Sequence, residues 1–153
     1  GDMTGERVCI LDSIQDPGNV GTIIRTAAAL GIDRVILHKC ADVYNPKVIR
    51  ATMGAFFRIS VSKCSDLQKL IIRLQNAGRR VLAAALSQRG LTLGDAPLYP
   101  TDTLILGNEG HGIDEAVVDQ CDASIKIPMT DKTESLNAAA AAAVLLWEYS
   151  KLQ

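Results

Sequence analysis

Four short apolar runs constrain this chain more than any other feature: VCILD (Val8–Asp12), RVILH (Arg34–His38), RVLAAAL at 80–86 and TLILG (Thr103–Gly107). Each has the length of a strand, and none alternates apolar with polar residues as a strand with one wet face would. Strands apolar on both sides need cover on both faces, and the intervening segments read as helices. Residues 19–30 form one, stopped by Gly31; Asp66 caps another with Leu67, Leu70, Ile71 and Leu74 along one face, ended by Gly78. Pro46 opens a short helical stretch, PKVIRATMG, ahead of a strand at 57–61. A short helix after Ile113, a strand at 124–127 and an alanine-rich helix complete the chain. The expected class is α/β: a mostly parallel sheet with helices on both faces.

Length and composition add bounds. The 153 residues, 48% of them apolar and 22% charged, suit one domain with a real core. Neither a signal peptide nor a run long enough to span a membrane is present. Met3 behind Gly1-Asp2 has the look of an expression scar or a cut from a longer chain. Cys9, Cys40, Cys64 and Cys121 include no CxxC pair, and only His38 and His111 accompany them. No metal site is expected, and a reduced, cytoplasmic setting is.

Net charge is −1, but the charges are segregated. Residues 34–63 carry Arg34, Lys39, Lys47, Arg50, Arg58 and Lys63 against Asp42 alone. Lys69, Arg73, Arg79, Arg80 and Arg89 follow against Asp66 and Asp95, and the acids gather in 101–134. Such a distribution makes either a basic face for nucleic acid or a set of solvated helix faces.

Ligands of parallel α/β sheets collect beyond the carboxyl ends of the strands. Three loops there hold nearly all the unusual residues. The first, DPGNVGTIIR, places Asn19 at a helix start and Arg25 about two turns in; Arg25 is either a surface residue or, if buried, a charge in need of a partner. It lacks the GxGxxG of a dinucleotide turn, and His38-Lys39 supplies no carboxylate for a ribose, so a nicotinamide enzyme is disfavoured. The second, LILGNEGHGI, sets Asn108 and Glu109 among Gly107, Gly110 and Gly112, glycines that admit positive φ and close approach of a flat ligand. The third, IPMTDKTESLN, leads from Met129 to Ser135 and Asn137 at the head of a helix that begins with six alanines. Ser135 is either an N-cap or a ligand contact. The alanines either serve helix propensity or let another group approach the backbone closely.

Taken together, NxGxxxR at 19–25, LGNEGxG at 106–112 and IPM followed by SLNxxxA at 127–141 resemble the three ordered motifs of the SpoU (TrmH-type) branch of the SPOUT RNA methyltransferases. The resemblance covers residues 8–150. It implies S-adenosylmethionine-dependent methylation of a ribose 2′-hydroxyl in RNA, ribosomal RNA favoured over transfer RNA. The alternative is a non-catalytic RNA-binding module on the same fold. It also implies a C-terminal trefoil knot, a homodimer and, in many relatives, a separate N-terminal RNA-binding domain beside a single catalytic domain, here 1–153. The residues implied for the cofactor are Leu86, Gly107, Ile127, Met129, Ser135, Leu136 and Asn137, and those for catalysis Arg25, Asn19, Glu109, Ser135 and Asn137. Arg34, Lys39, Lys47, Arg50 and Arg58 are the expected RNA contacts. No metal is called for, because the leaving group departs neutral. The chain departs from the family pattern in 130–134 and in its unbroken alanine run.

Overall fold

A computed structural model describes residues 3, 5–85, 90–95, 97–108, 112–129 and 136–151. In chain order its elements are β1 (Val8–Asp12), α1 (Pro17–Ala29), β2 (Arg34–His38), α2 (Pro46–Thr52), a 3-10 turn (Ala55–Phe57), β3 (Ser60–Lys63), α3 (Leu67–Asn76), β4 (Val81–Ala84), β5 (Leu91–Thr92), β6 (Thr103–Gly107), α4 (Glu115–Gln120), β7 (Ala123–Lys126) and α5 (Ala138–Ser150). The strands form one sheet in the order β3-β2-β1-β6-β4-β7-β5, and every pairing is parallel.

The unbroken apolar runs are explained by two cores. Cys9, Leu11, Val35, Leu37, Leu82, Leu104 and Leu106 face α1, α2 and α5. Val8, Ile10, Ile36, Val81, Ala83 and Ile105 face α3 and α4. Helix starts follow local chemistry. The Asp16 carboxylate accepts from the N–H groups of Gly18 and Asn19 ahead of α1, with Pro17 as the first helical residue. Asn45 with Pro46 does the same for α2, and Asp66 caps α3. Gly21 packs α1 onto α2: a methyl added there would stand 2.4 Å from the Ala51 Cβ and 2.6 Å from the Val48 carbonyl oxygen.

Several expectations shift. The first helix begins at Pro17 rather than Asn19, because Asp16 is the cap. The strand expected at 57–61 lies at Ser60–Lys63, because Met53 and Gly54 adopt left-handed backbone (φ 52° and 86°) and turn the next residues into the 3-10 turn. The third apolar run is strand only over Val81–Ala84, and Leu86 lies outside the described residues. The short edge strand β5 was not expected.

Two buried polar groups join the chain ends at the amino edge of the sheet. The Tyr149 hydroxyl accepts from the Val8 N–H (3.0 Å) and donates to the Asp102 carbonyl; burial pushes its pKa up to about 12, so it stays protonated. Arg79, although a cation, is 5% exposed and donates to the Thr103 hydroxyl (2.8 Å) and to the carbonyls of Met3 and Asp102. Arg80 is paired with the Asp102 carboxylate at 2.7 Å. Neither belongs to a free basic face. Tyr149→Phe strands the buried Val8 N–H and is expected to cost about 1–3 kcal/mol, read from urea denaturation.

All four cysteines are free, and burial pushes the Cys40 thiol up to about 11 and the Cys121 thiol up to about 12. Among the described residues no His, Cys, Asp and Glu side chains are gathered as a metal site, and no helix is long and apolar enough to cross a membrane.

Candidate functional site

The three loops do converge. Beyond the carboxyl ends of β4, β6 and β7 opens a cavity of about 480 Å³. Its floor is Leu106, Gly107 and Asn108; one wall is Ile125, Lys126, Ile127 and Met129, and the other is Leu136 with Ala138, Ala141, Ala142 and Leu145 of α5. Four residues expected at the cofactor, Gly107, Ile127, Met129 and Leu136, thus share one lining. The alanine run also finds its physical reason here. Ala138 and Ala142 are buried and line the cavity, whose space larger side chains would fill.

Gly107 is fixed by contact rather than by torsion. A Cβ there would lie 2.5 Å from Ile113 Cγ1 and 3.1 Å from the Gly112 carbonyl carbon and oxygen. Gly112, with φ 73°, turns the second loop back so that its N–H donates to the Asn108 carbonyl at 2.6 Å. The loops are tied to one another. Asn108 Nδ2 donates to the Ser13 carbonyl at 3.1 Å, and Asn137 Nδ2 donates to Asn19 Oδ1 at 3.4 Å. Asn137 is itself the N-cap of α5, accepting from Ala139 (2.8 Å) and Ala140 (3.3 Å). Its amide oxygen is therefore committed to the helix, and the capping role considered for Ser135 belongs to Asn137.

Beneath the first loop lies a pair that the sequence did not single out. His38 Nδ1 and Asp12 Oδ1 are 2.7 Å apart, and both side chains are buried at the ends of β2 and β1. Ser13, in left-handed backbone (φ 59°), donates its N–H to the His38 carbonyl at 2.8 Å and its hydroxyl to Asp12 at 3.2 Å. The Ser13 carbonyl that holds Asn108 is thus anchored from below. Lys126 and Ala84–Ala85, with Ile125 and Leu145, are further lining residues that were not foreseen. For all but Leu145, on α5, the signal was position at a strand end, which the motifs did not include.

Other expected residues are placed differently. Arg25 is exposed on α1, six residues beyond Asn19, which is about 120° round the helix and about 9 Å along it. It does not line this cavity. Gly21 faces α2, and Arg25, one turn on, emerges on that same side. Arg34 begins β2 at the amino edge of the sheet and is ion-paired with Glu6 at 2.8 Å, so it stands apart from the other expected RNA contacts. That hydrogen bond holds the Glu6 carboxyl below its ordinary pKa. Lys39, Lys47, Arg50 and Arg58 are exposed, and among the described residues none is in an ion pair. Leu86, Glu109 and Ser135 lie outside the described residues.

The profile of the SpoU rRNA Methylase family matches residues 6–147. The chain is 39% identical over 145 residues to the 23S rRNA (guanosine(2553)-2′-O)-methyltransferase RlmP of Bacillus subtilis, covering 94% of this chain and 58% of that protein. Among solved structures, the AdoMet-bound rRNA methyltransferase from Sinorhizobium meliloti superposes with a TM-score of 0.88 at 32% identity, over 96% of this chain and 56% of the other. The SpoU methyltransferase AviRb from Streptomyces viridochromogenes, in complex with AdoMet, gives 0.85 at 30% identity, over 95% and 60%. The chain thus spans rather more than half the length of these relatives. With its motifs on three interlocked strand-end loops and the profile match across nearly its full length, the chain belongs to the SpoU rRNA Methylase family.

Proposed function

We propose that this chain is the catalytic domain of an RNA 2′-O-ribose methyltransferase that uses S-adenosylmethionine, with ribosomal RNA the favoured substrate and a further N-terminal RNA-binding domain in the whole protein. The observation that carries the reading is the cavity bounded by Gly107, Ile127, Met129 and Leu136. Its volume lies within the usual range for a small-ligand site, and its walls are apolar with a few polar edges. The residues present fit the cofactor. Backbone groups at Gly107 and Ile127 suit an adenine edge, and Leu136, Ile125 and Leu145 its faces. When bound, the cofactor supplies an electrophilic sulfonium methyl.

The chain's own residues then hold and activate the ribose hydroxyl. A guanidinium stays protonated in proteins, so Arg25 acts as a cation beside the developing alkoxide and an RNA phosphate, which takes the proton. Asn19 and Asn137 keep the first and third loops in register through their shared hydrogen bond. By resemblance, Glu109 orients Arg25 or Asn19, Ser135 and Asn137 position the hydroxyl and the methyl donor, and Leu86 completes the pocket.

Arg25 is exposed and does not line the cavity of its own chain, which favours a homodimer in which each Arg25 serves the partner's pocket. α5 offers a face for that contact. Val144 and Trp147 are 39% and 54% exposed beside an open groove of about 540 Å³ that contains no cation among its lining residues. Trp147→Glu is expected to leave a monomer in sedimentation equilibrium. The passage of α5 through a trefoil knot belongs to the same reading; it accounts for a last helix packed against α1 beside the central strands.

The test is transfer of a labelled methyl group from S-adenosylmethionine to ribosomal RNA, with the product resistant to alkaline cleavage at one ribose. RNA binding without transfer would instead make the chain a non-catalytic RNA-binding module.

A further inference from the structure

We infer that the face built by α2 and the 3-10 turn is a stacking platform for unpaired RNA bases, so that this domain grips its substrate as a single-stranded segment rather than as a duplex. The inference rests on the reading of the chain as an RNA-modifying domain. Both phenylalanines of the chain stand here side by side. Phe56 packs against the core, while Phe57 is 86% exposed and Tyr44, on the other side of Phe56, is 68% exposed. The three rings make a ladder. The Tyr44 and Phe56 centroids are 6.1 Å apart at 64°, and those of Phe56 and Phe57 are 5.8 Å apart at 89°. Each outer ring makes a T-shaped contact with Phe56, which braces it while leaving most of its surface in solvent.

Charge decides what such rings are for. Val48 and Thr52 bury one face of α2, and the opposite face carries Lys47 and Arg50. Lys39 precedes this element and Arg58 follows it, both exposed. The nearby acid, Asp42, is matched by Lys63 at 3.7 Å. Exposed aromatic rings among exposed cations are the chemistry of single-strand binding: bases stack on the rings, and phosphates meet the cations. A two-fold contact between copies centred here would press several like charges together, whereas the lining of the groove beside Trp147 carries one charged residue, Glu148, which is paired with Lys151 at 3.0 Å. The platform also leads to the reaction. α1 packs against α2 and the 3-10 turn, and Arg25 emerges on that side, so a strand laid across the rings passes the proposed catalytic cation.

The experiment titrates the 153-residue chain, without cofactor, into a short fluorescein-labelled oligoadenylate and into the same oligonucleotide paired with its complement, read by anisotropy. The single strand is expected to bind at least about 10-fold tighter than the duplex. Phe57→Ala and Tyr44→Ala should each weaken it roughly 10-fold with no change in salt dependence. Phe57→Trp should retain binding, and the Lys47→Ala, Arg50→Ala double variant should flatten the salt dependence. Equal binding of strand and duplex, or parental affinity in Phe57→Ala, overturns the platform. Conversion of a dimer to a monomer by Phe57→Ala also overturns it, assigning the face to a second copy. Calorimetric titration of the same samples with S-adenosylmethionine separates the two readings. Absent cofactor binding defeats methyl transfer while anisotropy still reports stacking; intact cofactor binding with an indifferent Phe57→Ala defeats the platform alone.

Discussion

Arg25→Ala is expected to slow methyl transfer to RNA about 100-fold or more, the usual loss when one group that stabilises developing negative charge is removed. Affinity for S-adenosylmethionine should stay at the parental value, since Arg25 is exposed on α1 and lines no part of the cavity of its own subunit. The combination is diagnostic. A residue that merely held the fold would change both quantities, and a residue that bound the cofactor would change the second first. Arg25→Lys should recover little, because an ammonium cannot reproduce the two-pronged geometry of a guanidinium against a hydroxyl and a phosphate. Single-turnover rates with labelled cofactor, paired with calorimetry, supply both numbers. Turnover surviving in Arg25→Ala would remove the cation from the mechanism.

Gly107→Ala is expected to act in the opposite sense, weakening cofactor binding at least about 10-fold and costing about 1–3 kcal/mol of stability by overpacking. The new methyl would lie 2.5 Å from Ile113 Cγ1 and 3.1 Å from the Gly112 backbone, so the second loop has to move away from the strand end. Asn108 moves with it, because Gly112 N–H is bonded to its carbonyl, and the tie to Ser13 is lost or lengthened. Gly21→Ala is the control. It meets Ala51 and Val48 even more closely, yet at the junction of α1 and α2, so it should lower stability and spare cofactor affinity. Thermal unfolding and calorimetry on both variants distinguish a pocket glycine from a packing glycine.

How much of this was legible in the chain depends on the range of the interaction. Strands covered on both faces announce themselves as unbroken apolar runs, and the cap Asp66 acts within three residues of itself, whereas Asp16, an equally local cap, was read as part of a turn. The convergence of the three loops followed from strand direction, whereas the choice of Gly107, Ile127, Met129 and Leu136 within them came from the family resemblance. Arg34 was grouped with the basic segment although, as the first residue of a parallel strand, it had to lie at the far edge from the loops. Arg79 gave no sign of burial, because its partners are a hydroxyl and carbonyls 23 to 76 residues away. The His38–Asp12 pair was hidden likewise, its members 26 residues apart on neighbouring strands. Phe57 was placed at the start of a strand, whereas the left-handed turn at Met53 and Gly54 puts both Phe56 and Phe57 in the 3-10 turn and leaves Phe57 facing water.

The hydroxyl of Tyr149 and the amide of Val8 are 141 positions apart. A nascent chain leaving the ribosome therefore carries β1 long before the group that satisfies that strand's opening amide has been made. That amide is satisfied only once Tyr149 has been made and packed. Copies truncated before Tyr149 would leave it buried without this partner, and the less stable fold would spend more time open to chaperones and proteases.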